Sequence, residues 1–348
     1  MKIDIRKIFL LTGFGILLGM ATFLLGCGGE KNSGSTATPA EGPPTTYPYV
    51  AVATVGMVGD LVKNIAGTNA TVQVLIRPGV DPHLYQPLPS DQKACEKASI
   101  IFYAGHHLEG KMIRLFDAMR KKGKSIHAVS ETLPTASLLT DDENKEAIDP
   151  HAWMDVSLWS EAAKSVATAL SSFDPANASV YAANLEAYQK QLAPLHAYAK
   201  ARAATIPDSQ RILVTAHDAF RYWGAAYHVE VMGVQGLSPQ AEAGIKRIND
   251  LVALLVERKV PAIFTETSVS DENVQALIVG ARKKGHEVKL GGKLFSDAMG
   301  PSNQYEGTYI GMIDHNTTTL VRALGGEAPV GGLNGKLQAA KAKAGATP

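Results

Sequence analysis

The chain has 348 residues, 34 basic and 33 acidic side chains, and a formal net charge of +1 at neutral pH. That balance gives no hint of a nucleic-acid surface. Two cysteines, Cys27 and Cys95, are too few for a disulfide-stapled scaffold.

The chain opens on a basic cluster, Lys2, Arg6 and Lys7, followed by an uncharged run from Ile8 to Gly26. Leu24-Leu25-Gly26-Cys27 resembles the processing box of bacterial lipoproteins, in which the cysteine is lipidated and becomes the first residue. Residues 1–27 are therefore expected to be a signal peptide with Cys27 as the lipid anchor. The alternative is an uncleaved membrane anchor, since the run is long enough to span a bilayer. Both readings put the bulk of the chain outside the cytoplasm. Residues 28–46 are rich in Gly, Ser, Thr and Pro and read as a flexible tether with a reach of roughly 25 Å. With Cys27 lipidated, Cys95 has no partner within the chain and reads as a small buried hydrophobe on a short helix.

From Tyr47 short apolar runs alternate with helical spacing. Strands are predicted at 49–54, 71–76, 99–103 and 125–129, with helices at 57–65, 90–97 and 109–121. This pattern indicates parallel pairing in a βαβ-type lobe spanning 47–173. A second lobe, 208–330, has predicted strands at 211–215, 230–234, 262–265 and 287–290. Its helices are expected near 219–227, 241–258 and 271–284, with a last one from about 307 to 324. Roughly 285 residues of such sequence suit two domains. The Gly-, Ala- and Lys-rich end, 331–348, is expected to fray.

Between the lobes, Asp174-Pro175 reads as an N-cap followed by proline at the first helical position. Helical spacing then continues to Ile206, giving a linking helix over 174–207 of ~48 Å. Pro194, in its middle, is expected to kink it. The fold class is α/β: two βαβ-type lobes with mainly parallel sheets, joined by one long helix.

Asp-Pro-His occurs twice, at Asp81-Pro82-His83 and Asp149-Pro150-His151. Proline fixes its own φ and restricts its predecessor, so each histidine is presented from a stiffened turn. His217 and Asp297 complete a set of three imidazoles and one carboxylate. Such a set suits holding a divalent transition metal rather than using it, because a closed shell leaves no position for water. All four follow the carboxyl ends of predicted strands, where open α/β sheets bind ligands. Taken singly, each has a structural explanation as a turn, a cap or a satisfied core histidine. Glu266, at the end of a predicted strand, is expected to support a ligating histidine from behind. His106 and His107 are adjacent, so their side chains diverge and cannot easily share an ion.

Four segments carry a family resemblance: Gly79-Val80-Asp81-Pro82-His83-Leu84-Tyr85, Asp149-Pro150-His151-Ala152-Trp153-Met154-Asp155, Thr215-Ala216-His217-Asp218-Ala219-Phe220 and Leu294-Phe295-Ser296-Asp297-Ala298-Met299. In order and spacing they resemble the zinc/manganese receptors of bacterial ABC importers, the TroA-like metal receptors. The resemblance implies a rigid bilobed lipoprotein that holds one Zn2+ or Mn2+ between its lobes as cargo. The implied ligands are His83, His151, His217 and Asp297, and the implied partner is an ABC permease in the membrane. The receptor is expected to be a monomer and not an enzyme. Zinc-uptake members often carry a His-rich loop before the second ligand, whereas Thr140–Asp149 is acidic and has no histidine. Manganese members commonly have glutamate at the third position, where this chain has His217. The sequence thus resembles an intermediate branch, and the cargo stays open between the two metals. Two other classes are compatible with a surface lipoprotein: a secreted zinc hydrolase with Glu266 as base, and an adhesin.

Overall fold

In the computed structural model of the protein, residues 44, 46–141, 144–239 and 243–337 are described. The expected signal peptide, Cys27 and nearly all of the tether lie outside the described residues. So do residues 338–348 of the expected tail. No helix among the described residues is long and apolar enough to cross a membrane.

The first lobe is a four-stranded parallel sheet in the order β2-β1-β3-β4, formed by β1 (Tyr49–Ala53), β2 (Ala70–Val74), β3 (Ile100–Tyr103) and β4 (Ser125–Ala128). The two central strands are almost wholly buried and the two edge strands half exposed. This accounts for the near-continuous apolar runs Tyr-Val-Ala-Val-Ala and Ile-Ile-Phe-Tyr. The intervening helices are α1 (Gly56–Ala66), α2 (Pro89–Lys97) and α3 (Ile113–Lys121). Cys95 is buried on α2, with its thiol pushed up to about 11 chiefly by burial.

A further helix, α4 (Val156–Phe173), was not anticipated. Asp155 caps it by accepting from the Ser157 N–H at 2.8 Å, and it buries Val156, Trp159, Ala163, Val166, Leu170 and Phe173. Buried positions 156, 159, 163, 166, 170 and 173 keep helical spacing.

The linking helix α5 runs Ala178–Ala203, about 39 Å at 1.5 Å per residue, shorter than expected. A 3-10 turn, Pro175–Asn177, leads into it, and the helix is continuous through Pro194. Asp174 does not cap with its side chain as the sequence suggested. Its carboxylate accepts instead from the hydroxyls of Tyr47 and Tyr181 and from Asn177.

The second lobe comprises β5 (Ile212–His217), α6 (Arg221–Tyr227), β6 (Glu230–Gln235), α7 (Ile245–Glu257), β7 (Ala262–Glu266), α8 (Glu272–Lys283), β8 (Lys289–Leu294) and α9 (Tyr309–Ala323). Its strands pair in parallel as β5-β6 and β7-β8, with β5 beside β7. β8 extends four residues beyond the predicted end, through Gly291-Gly292, where the pairing opposite Ile263 and Phe264 is irregular. A Cβ on Gly291 would lie 2.5 Å from the Phe264 ring.

The expected fraying from 331 does not apply to 331–337. The Leu333 N–H donates to Asp314 at 2.8 Å and the Asn334 amide to Tyr305 at 2.9 Å, tying this turn to α9 and the turn before it.

The core does not divide at the lobe boundary. One apolar cluster runs from Tyr49 in β1 through Tyr188 and Leu195 in α5 to Tyr309, Met312 and Leu320 in α9. A second, smaller cluster lies on the other face of the second lobe. There Ile212, Val214 and Ala216 of β5 point away from Leu213, as the strand period of two requires.

Candidate metal centre

The four side chains singled out from the sequence come together. One nitrogen each of His83, His151 and His217 and one oxygen of Asp297 all lie within 4.8 Å of one another, and all four residues are buried. His217 is the last residue of β5 rather than beyond it, and Asp297 lies three residues past Leu294 of β8. His83 and His151 stand on loops after β2 and β4.

In both Asp-Pro-His tripeptides the aspartate accepts from the backbone N–H of its histidine. The distances are 2.7 Å for Asp81 to His83 and 3.0 Å for Asp149 to His151. Each is an Asx turn with proline at its centre, so the turn itself is set by local chemistry. Nε2 of His83 is 3.2 Å from Nε2 of His151. Asp297 spreads its two oxygens, with Oδ1 3.3 Å from His151 Nε2 and Oδ2 3.2 Å from His217 Nε2. Ser268 donates its hydroxyl to Oδ2 at 3.3 Å.

The donor set fits a divalent transition metal on two observations. Four donors about 2.0–2.1 Å from a tetrahedral ion stand about 3.3–3.4 Å apart; the shortest separations here, two of them to different oxygens of Asp297, are 3.2–3.3 Å, in a set whose donors all lie within 4.8 Å. In addition, His217 Nε2 and Asp297 Oδ1 are buried without a hydrogen-bond partner of good geometry, which is costly unless something else occupies them.

Behind this shell stand two carboxylates. Glu266, ending β7 next to β5, places Oε2 2.6 Å from His217 Nδ1 and accepts the His217 backbone N–H on Oε1 at 2.9 Å. Asp149 reaches His151 Nδ1 at 2.7 Å. Both direct Nε2 of their histidine toward the centre and fix the ring plane. Glu266, expected behind a ligating histidine, stands here against His217. The equivalent contact of Asp149 was missed, although the aspartate two residues before each histidine was in plain view.

The electrostatics separate the histidines. Burial opposes charge on His151, but Asp149 and then Asp297 overcome it, leaving its pKa raised to about 9. His217 is likewise raised, against burial, by Glu266 and Asp297. His83 is lowered to about 3 by burial, with Asp297 opposing. Burial would raise the Asp297 carboxyl, yet His217 and His151 hold it well below its ordinary range.

The second lobe also grips the loop that carries His151. The Tyr222 hydroxyl donates to the Asp149 carbonyl at 3.0 Å and accepts from the Leu139 N–H at 3.0 Å. Arg221 donates to the Thr140 carbonyl at 2.7 Å and stands 3.8 Å from the Asp149 carboxylate. His106 and His107 take no part in the cluster. Both adopt positive φ, and His106 is engaged with the Ser130 carbonyl at 3.2 Å.

Two α/β lobes spanned by a long helix, with buried donors contributed by both, define a bilobed solute-binding protein. Residues 51–323 match the family described as ZnuA, zinc-uptake complex component A, periplasmic, and the chain belongs to that family. It is 42% identical over 309 residues to the zinc-binding protein TroA of Treponema pallidum, covering 89% of this chain and 96% of that protein. It is 39% identical over 307 residues to the manganese-binding lipoprotein MntA of Bacillus subtilis, covering 87% and 96%. The solved structure of the periplasmic zinc-binding protein TroA from Treponema pallidum superposes with a TM-score of 0.76 at 43% identity, covering 79% of this chain and 99% of that one.

Proposed function

We propose that this chain is the extracytoplasmic receptor of a bacterial metal ABC importer. It binds one zinc or manganese ion as cargo through His83, His151, His217 and Asp297 and delivers it to the membrane permease. The observation that carries the reading is the convergence of four buried donors from both lobes within 4.8 Å. The named metals of the two relatives above agree with a divalent transition ion and differ on which one.

The same reading assigns residues 1–27 to a lipoprotein signal with Cys27 acylated and 28–46 to a tether. Residues 47–173 and 208–330 form the two lobes, 174–207 the linking segment, and the receptor acts as a monomer. The name of the Bacillus subtilis relative, a lipoprotein, supports the anchor. A zinc-hydrolase role is disfavoured because Glu266 stands 2.6 Å from His217 Nδ1, the ring nitrogen opposite the one that faces Asp297, rather than beside the donors.

Three nitrogens and a carboxylate suit zinc, and the usual affinity order puts manganese well below it. Asp297 faces two different histidines with its two oxygens, so it can also chelate through both and support a fifth bond. We therefore assign zinc as the tighter ligand in vitro and keep manganese as a transported cargo. Metal analysis of purified protein tests the first point: one ion per chain is expected, and two or none would refute the four-ligand centre. A competition titration of metal-free protein with both ions tests the second, and manganese winning at equilibrium would reverse the assignment.

A further inference from the structure

The two loops that carry His151 and Asp297 come from opposite lobes and are joined through one side chain. Trp153 lies two residues after His151 in a short 3-10 turn, Ala152–Met154, and is fully buried. Its indole Nε1 donates to the carbonyl of Ser296, the residue before Asp297, at 3.0 Å. Its own carbonyl accepts from the Tyr309 hydroxyl, at the start of α9, at 2.8 Å. Its ring also stands edge-on to His151, with centroids 5.2 Å apart and planes at 70°. A first-lobe residue is thus fastened at both its backbone and its side chain to the second lobe, while it abuts a candidate ligand. An indole offers a single N–H donor. Because Ser296 is also buried, losing that bond strands a carbonyl away from water.

We infer that Trp153 is a positioning residue that holds the His151 and Asp297 loops at a fixed separation and thereby slows release of the ion. The inference rests on the receptor reading above. Trp159 supplies the internal contrast. It is equally buried and packs at 6.4 Å from Trp153 and 5.9 Å from Tyr309, yet its indole nitrogen has no hydrogen-bond partner. The same ring in the same cluster therefore lacks the tie.

The test is Zn2+ release from the loaded full chain into excess chelator, followed by stopped flow. Trp153→Phe keeps an aromatic ring and removes the N–H. Release is expected to quicken about tenfold, the lower end of the loss seen when contacts behind a metal site are removed. Trp159→Phe should release at the wild-type rate. A spectroscopic readout accompanies this: the fluorescence change on adding Zn2+ should shrink in Trp153→Phe and persist in Trp159→Phe. Wild-type release from Trp153→Phe, or equal acceleration in both variants, overturns the inference while wild-type binding leaves the receptor reading standing. A wild-type chain that takes up no Zn2+ overturns the receptor reading itself. Where Trp153→Phe fails to fold, Tyr309→Phe cuts the other bond to the same residue. Faster release then supports the inference and an unchanged rate opposes it.

Discussion

The two Asp-Pro-His tripeptides form the same turn and end in different electrostatic settings. In each, the aspartate accepts the N–H of its histidine. In the second, the aspartate is fully buried, also reaches the ring nitrogen at 2.7 Å, and is flanked by Arg221 and Tyr222 of the opposite lobe. His151 there favours a proton up to about pH 9, whereas burial lowers His83 to about 3. Asp81 is partly exposed, and its carboxyl is raised to about 6 by burial and then by the Asp297 charge. Three residues can dictate a backbone turn; the basicity of the imidazole is set by what the rest of the fold packs around it.

The largest test of this contrast removes the rings. His151→Ala is expected to weaken zinc binding by more than about a hundredfold, beyond the usual loss for contacts behind a metal site. His83→Ala should cost clearly less. Calorimetry or chelator competition gives both constants, and equal losses would erase the distinction between the turns. His217→Ala, with its own carboxylate behind it, should behave like His151→Ala.

Next come the aspartates. Asparagine keeps an oxygen for the turn but removes the charge, so Asp149→Asn should weaken zinc binding about 10–100-fold. Asp81→Asn should stay below about tenfold. A larger effect at Asp81 would mean that the exposed copy governs the site.

The pH dependence has a definite sign. An ion displaces the proton from Nε2 of His151, so binding releases protons and weakens as pH falls. With that pKa raised to about 9, the decline begins below about pH 9 rather than near the ordinary histidine value. Each displaced proton costs about tenfold in affinity per pH unit. Asp149→Asn removes the main cause of the upward shift and should flatten the slope near neutrality. An identical slope in wild type and variant would show that the proton sits elsewhere.

The smallest expected effect is at His106, outside the cluster and bonded to the Ser130 carbonyl. His106→Ala should leave zinc affinity within about twofold, since it removes no contact to a ligand. A loss approaching that of His151→Ala would mean the ligand set is misassigned.

Much of this was legible because it is local. Parallel strands buried on both faces wrote themselves as apolar runs, and the Asp-Pro-His turns are set within three residues. The exceptions have identifiable causes. Gly291-Gly292 accommodates the Phe264 ring at an irregular pairing that carries β8 past its expected end. Arg221, Tyr222 and Trp153 act on residues 72 to 156 positions away in the chain, a relation that no local pattern encodes. Glu266 stands out at the end of a readable strand, β7, and the fold sets it beside His217 at the end of β5.

The apolar cluster that passes from β1 through α5 to α9 bears on how this chain acquires its shape. Both halves share that core with α5 and with each other. Cleaving the chain within α5 should therefore yield two aggregation-prone fragments rather than two independent folding units. The intact protein should melt in one cooperative step, with far-ultraviolet circular dichroism and aromatic fluorescence reporting the same midpoint.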